Sequence, residues 1–284
     1  MLHAPLNLST ALSVTRFVVE FLLKANYIYS MLKYIYKFIP PLLMACSVFF
    51  TFLPQKSVAA DFTIAPVRIF FDTDTTTTIL TVTNKSEETL TLQLKSFTWQ
   101  QDEEGMDVYL PTEDIIFFPK IFKIEKDEEK LVRLGTKIPP GSHEKTYRLF
   151  LEEIPVAQQS KGAAVRILMR VGVPIFIVPI QEEVKGSIAG AAVQKGALSL
   201  TVKNEGNSHF IFRKIMAQGI NDGGNEVFTT ETGGGYLHAG NAKNFMIEIP
   251  ADSCLQAKTL EISIITDKLS LDEKIEISTE MCRF

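Results

Sequence analysis

The chain is 284 residues long, 46% hydrophobic and 22% charged, with 29 basic and 33 acidic side chains and a net charge of −4. Such a length accommodates two ordinary domains or one large one. The acidic balance disfavours nonspecific attachment to nucleic acid or to anionic membranes.

The first sixty residues differ from the rest. Met31 opens MLKYIYKFIPPLLMACSVFFTFLPQKSVAADF, with Lys33 and Lys37 ahead of an apolar run and small residues at its close. This layout predicts a secretory signal peptide cleaved after Ala60, with Val58 and Ala60 at the two recognition positions. The alternative is a retained membrane helix, against which Pro40, Pro41 and the small-residue exit argue. Residues 1–30 precede a complete signal and read as an upstream start or a dispensable extension. Cys46, in LLMAC, faintly resembles a lipoprotein acylation site, but the apolar run continues after it as SVFFTF. Cleavage removes five basic residues (Arg16, Lys24, Lys33, Lys37, Lys56) and Glu20, leaving 24 basic against 32 acidic and a net charge of −8. No stable membrane insertion is expected of the mature chain.

From Asp61 onward nearly everything reads as short strands separated by turn chemistry. FTIAPVRIFF, TTILTVTN, TLTLQLKSFTW, KLVRLG, TYRLFLEEIP and AAVRILMRVGVPIFIVP are rich in β-branched and aromatic residues. DTDT, NKSEE, DEEG and IPPGSHEK punctuate them. About seven strands over roughly 115 residues predict an immunoglobulin-like sandwich spanning 61–178. In its last strand Val165, Ile167, Met169, Val171 and Val173 alternate with Arg166, Leu168, Arg170, Gly172 and Pro174. Pro174 has no N–H to donate, which places this ribbon at a sheet edge. Soluble proteins normally blunt a long apolar edge; this one is left sharp.

A second series follows Pro179: SIAGAAVQ, ALSLTVKN, HFIFRKIMAQGI, NFMIEIP, KTLEISIIT and KIEISTEMC, with glycine-rich turns at NDGGN and TGGGY. It predicts a second sandwich over 179–284. No Gly-, Ser- or Pro-rich linker separates the two, so the expected architecture is all-β: two immunoglobulin-like domains at a fairly fixed angle with a cleft between them. Cys254 and Cys282 are the only cysteines left after cleavage. In an oxidising compartment a bridge between them is the expectation, two unrelated buried thiols the alternative.

Catalytic readings find little support. His143, His209 and His238 lie apart in turn or strand contexts without metal-ligand spacing, and are expected to be surface or capping residues. The mature chain has no Gly-x-Ser-x-Gly elbow, phosphate-cradling loop or Cys-x-x-Cys pair. No cofactor or metal is implied, and no enzyme. TGGGY reads as a turn and EKDEEK as a solvated hairpin end. Trp99 and the phenylalanines are expected to fill the sandwich cores, and no basic–aromatic surface stripe can be read out.

Several segments follow one another in a telling order. They are APVRIFF with its Arg68, KLVRLG, FLEEIP, the 163–179 ribbon ending in FIVP, VKNEGNSHF, and ISIITDK. Together they resemble the periplasmic pilus-assembly chaperones, the PapD-like family, over essentially the whole mature chain. VKNEGNSHF and the short EEIPVAQQSKGA connection resemble the archaic or short-loop branch.

The resemblance implies that the two immunoglobulin-like domains are set in an L, and it implies a mechanism. Pilin subunits lack their final strand, and the chaperone lends its own edge by β-augmentation. Val165, Ile167, Met169 and Val171 would form the donor strand, with Val173 extending it or packing internally. The family anchors the subunit's terminal carboxylate with two basic residues, and Arg68 matches the first. The second position falls on Pro174, which cannot serve, so Arg170, on the same strand face, is the expected replacement. An interdomain ionic cluster is implied at Arg133, Glu153 and Asp267, with Glu152 replacing Glu153 if the register is off by one. Expected partners are fimbrial subunits and an outer-membrane usher, with self-dimerisation of the free protein left open, all in the periplasm. The rival reading is an exported structural or adhesive β-sandwich of the cell surface. Such a subunit would carry a self-donating N-terminal extension, whereas here the first strand follows Ala60 almost at once.

Overall fold

A computed structural model describes residues 61–155 and 167–282. The signal segment, Val165 and Arg166 lie outside the described residues. FTIAPVRIFF, read above as one strand, is two: β1 (Phe62–Ala65) and β2 (Ile69–Phe71) enter different sheets. Pro66 between them cannot donate to a ladder, so the strand breaks there.

In the first sandwich, β1 pairs with β3 (Thr77–Asn84), which pairs with β8 (Glu129–Thr136) and through it with β6 (Ile115–Phe118). The facing sheet runs β2, β10 (Arg170–Ile177), β9 (Lys145–Glu153), β4 (Leu90–Gln101) and β5 (Asp107–Pro111), with β7 (Ile121–Ile124) also on β4. Period-two alternation sends Leu80 and Val82, Leu92 and Leu94, Leu149 and Leu151, and Val173, Ile175 and Ile177 into one shared core. Each such side chain contributes roughly 1.5–3 kcal/mol by leaving water. EKDEEK forms the exposed turn between β7 and β8, at residues 125–128, and the first two residues of β8.

The second sandwich pairs β11 (Gly186–Gln194), β12 (Ala197–Asn204) and β16 (Ala242–Glu248) in one sheet. The other runs β14 (Glu226–Thr232), β13 (Phe210–Ile220), β17 (Thr259–Thr266) and β18 (Ser270–Glu276), with β15 (Tyr236–Leu237) also on β13. Its core is separate, built around Leu198, Leu200, Phe210, Phe212, Ile262 and Ile264. A disulfide joins Cys254, at the end of the one-turn helix α1 (Ala251–Cys254), to Cys282 inside that core. Among the described residues no helix is long and apolar enough to cross a membrane.

Both sandwiches use the same joint. Asn84, at the end of β3, donates Nδ2 to Glu88 O (2.8 Å) and Ile124 O (3.0 Å), while its Oδ1 accepts from Ser86 N (2.9 Å). Asn204, at the end of β12, donates Nδ2 to Ser208 O (2.9 Å) and Leu237 O (3.0 Å) and accepts from Gly206 N (3.0 Å). Each fully buried amide bolts its own loop to a distant strand and leaves no polar atom unpaired.

Candidate functional site

Strand β10 is half covered. Along its whole length it pairs antiparallel with β9, from Arg170↔Glu152 to Ile177↔Lys145. On its other side β2 joins in parallel, and only at Ile175, Phe176 and Ile177. Among the described residues, Arg170–Pro174 therefore has a strand on one side and none on the other. The ribbon ahead of it continues that edge: Ile167 is 65% exposed and Met169 36%. Met169 stays in register with β9, its carbonyl accepting from Glu153 N at 2.9 Å and its N–H donating to Glu153 Oε2 at 3.2 Å. Val171 is half-buried, and Val173 belongs to the core.

The outer face of the same sheet carries arginines. Pro174 is the cross-strand partner of Arg148 in β9, and continuing the β2–β10 register one residue back sets Arg68 on its other flank. The Arg148 guanidinium lies 3.8 Å above the Trp99 ring and 5.7 Å from Tyr236. It donates Nη1 to Gly172 O at 3.1 Å, while its buried Nε has no hydrogen-bond partner. No carboxylate pairs with it among the described residues. A half-buried guanidinium without a counter-ion is costly unless something anionic is brought to it. Arg170, by contrast, is committed: its Nε sits 3.0 Å from Glu152 Oε1 and its guanidinium 3.8 Å over Phe150. Gly172 makes room for that ring, because a Cβ there would stand 2.9 Å from it.

Strand parity explains a third feature. Leu90, Leu92, Leu94 and Ser96 of β4 face the first core, so Trp99 faces outward, yet it is 1% exposed. Phe176 of β10 likewise faces away from Ile175 and Ile177 and is fully buried. The second sandwich covers both. His209 stacks on Phe176 (centroids 3.9 Å apart, planes at 16°), and His238 meets Trp99 edge-on at 4.3 Å. Tyr236 lies edge-on to Trp99 at 4.9 Å. Gln101 accepts from His238 N at 3.0 Å and donates to Tyr236 O at 2.9 Å. Glu144 Oε2 receives both His209 N (2.8 Å) and His209 Nδ1 (2.7 Å). Burial pushes the His238 imidazole down to about 4, with Asp107 opposing and the neighbouring His209 and Arg148 adding to the effect.

The comparisons with known proteins bear on this arrangement. Residues 61–182 match the family described as pili and flagellar-assembly chaperone, PapD N-terminal domain. The first sandwich belongs to that family. No curated protein sequence matches the chain. Among solved structures, a chain of the CsuC–CsuE chaperone–tip adhesion subunit pre-assembly complex from archaic chaperone-usher Csu pili of Acinetobacter baumannii is 21% identical, covering 77% of this chain and 98% of that one, with a TM-score of 0.52. A chain of the Salmonella enterica SafA pilin–SafB chaperone complex is 13% identical over 78% of this chain and 99% of that one, at a TM-score of 0.49. The chaperone–tip adhesin complex of CFA/I fimbriae biogenesis gives 14%, 77%, 100% and 0.49 in the same terms. The first of these likenesses, at 21% identity, establishes the fold alone.

Within this PapD-like fold several expectations need correcting. Arg133, Glu153 and Asp267 do not form one cluster. Arg133 points outward from β8, between the inward-facing Val132 and Leu134. Glu153 faces inward from β9 on the opposite sheet and holds the start of the β10 ribbon. Asp267 accepts from Ile211 N at 2.7 Å, within the second sandwich. The buried tie between the PapD-like domain and the second sandwich is instead Glu144 with His209. His209 and His238 are 2% and 5% exposed, not surface residues. Trp99 lies between the sandwiches rather than in a core, and the outer face does carry a basic–aromatic stripe in Arg148–Trp99 and Arg170–Phe150. The signal for these was present in the parity of TLTLQLKSFTW and TYRLFLEE, which turns Trp99 and Arg148 to the side away from the leucines.

Proposed function

We propose that the protein is a non-enzymatic periplasmic chaperone that completes the sandwich of a pilus subunit with the ribbon leading into β10. The observation that carries this reading is the half-open β10, with Ile167 and Met169 exposed ahead of a strand that β2 covers only at its far end. Val165, Ile167, Met169 and Val171 serve as donor side chains, each worth roughly 1.5–3 kcal/mol in the subunit groove before ordering costs.

The incoming strand stops where β2 begins, beside Pro174. Arg68 and Arg148 flank that point and bind the subunit's terminal carboxylate, for which a guanidinium fork is suited. Arg148 takes the place expected of Arg170, whose guanidinium is already held by Glu152. Membership of the PapD family supports the periplasmic setting and delivery of subunits to an outer-membrane usher. The same open edge offers a second copy a place to pair when no subunit is bound.

The test is co-expression with a subunit lacking its last strand. Ile167→Asp with Met169→Asp is expected to abolish the complex and leave the melting temperature unchanged. Arg68→Ala and Arg148→Ala are each expected to lower complex recovery about tenfold or more, and Arg170→Ala to change it little. Undiminished complex with the double Asp variant refutes donor-strand binding.

A further inference from the structure

The Arg148 guanidinium reaches from β9 over β4, where the Trp99 ring lies 3.8 Å beneath it and Tyr236 5.7 Å away. The next strand out is β5, and there Tyr109 is the cross-strand partner of Trp99 on the same outer face. Its ring stands edge-on to Phe150 at 5.3 Å and 83°. Phe150 is two residues on from Arg148 along β9 and therefore shares its face. The Tyr109 hydroxyl donates to Asp107 Oδ2 at 2.9 Å. Burial and Asp107 push the phenol's pKa up, while Arg148 opposes them through its charge and a hydrogen bond. The phenol oxygen thus serves two partners, accepting from the guanidinium while it donates to the carboxylate.

We propose that Tyr109 and Asp107 are positioning residues for Arg148, holding its guanidinium at the point where the subunit's terminal carboxylate arrives. This rests on the chaperone reading above. The arrangement differs from that of Arg170 in a way that matters for binding. Glu152 sits 3.0 Å from Arg170 Nε and takes up its charge directly. Asp107 reaches Arg148 through a neutral hydroxyl, so the guanidinium is oriented while its charge stays available to an incoming anion. An unrestrained arginine gives up side-chain freedom on binding; one already held loses less.

Asp107 is itself tied down. Its Oδ1 accepts from Gln101 Nε2 at 3.4 Å, and the same amide donates to Tyr236 O at 2.9 Å and accepts from His238 N at 3.0 Å. The first residue of β5 is thereby linked to the segment of the second sandwich that stands beside the anchor. Side chains from three separate segments, Trp99, Tyr109 and Tyr236, converge on one guanidinium.

The test uses one pilus subunit prepared in two forms, with its natural C-terminal carboxylate and with that carboxylate amidated, each refolded onto the mature protein. The half-life of each purified complex is measured. The wild type is expected to hold the free acid longer than the amide. Tyr109→Phe keeps the ring and is expected to shorten the free-acid complex about fivefold while leaving the amide complex unchanged. Asp107→Ala is expected to do the same, and Asp107→Asn, which keeps an acceptor for the phenol, to restore the wild-type half-life. With Arg148→Ala already in place, Tyr109→Phe is expected to add nothing. A Tyr109→Phe protein that shortens both complexes equally, or neither, overturns the relay, as does a wild type that holds acid and amide equally long. A wild-type protein that captures neither form refutes the chaperone reading instead.

Discussion

Replacing His238 with Phe isolates the cost of keeping one imidazole neutral. His238 is buried edge-on against Trp99, its Nε2 has no hydrogen-bond partner, and its pKa is pushed down from 6.5 to about 4. The unfolded chain therefore takes up this proton first as the pH falls. Stability is fully present above about pH 6.5, is lost progressively through the window down to about 4, and changes no further from this group below that. A depression of about 2.5 units at 1.36 kcal/mol each amounts to about 3 kcal/mol. Phe preserves the edge-to-face contact and removes both the titration and the orphaned nitrogen. Urea unfolding at a series of pH values, followed by Trp99 emission, is the assay. His238→Phe is expected to match or exceed the wild type at pH 7 and to lead it by up to about 3 kcal/mol near pH 4. Carboxylates such as Glu182, whose pKa is lowered by its Lys268 bond, destabilise both proteins equally in acid and cancel in the difference. Parallel stability curves across this range refute the reasoning.

Three further outcomes are expected. Reducing the Cys254–Cys282 bond, which closes a loop of sequence separation 28, should lower stability by about 3.5 kcal/mol in the chain-entropy model, measured by denaturation with and without reductant. Asn204→Ala removes three hydrogen bonds, two of them buried, and should cost about 3 kcal/mol; a loss under about 1 kcal/mol in urea titration would show the joint to be dispensable. Gly172→Ala drives a methyl against Phe150 and should cost about 1–3 kcal/mol by crowding, with the Phe150 resonances shifting by NMR.

Much of the fold could be read from alternation. TTILTVTN and KLVRLG send Leu80, Val82, Val132 and Leu134 to the core by alternation and leave Ile79 and Leu131 on the exposed face, and Pro174 marks an edge. Alternation tells which residues share a face but not what lies against that face. Trp99 and Phe176 are therefore expected in the cores and Arg148 is not singled out at all, whereas on the outer face of their sheet the second sandwich covers Trp99 and Phe176. The ionic cluster failed for a related reason. Charged positions near strand ends look alike in sequence, and the register that separates the outward Arg133 from the inward Glu153 is fixed only by pairing. His209 followed a turn in the sequence and looked like a cap; packing across the junction turned it into a partner for Glu144.

The arrangement in which β2 covers only the last three residues of β10 also makes the strand a ruler. Between Ile167 and Pro174 lie seven residue steps, about 23 Å at ordinary strand rise. On the donor-strand reading, a guest segment paired along this edge must peel away at Pro174, where β2 begins. On that reading the far limit of pairing is set by backbone geometry before any side chain is compared, and moving the start of β2 by two residues would move that limit.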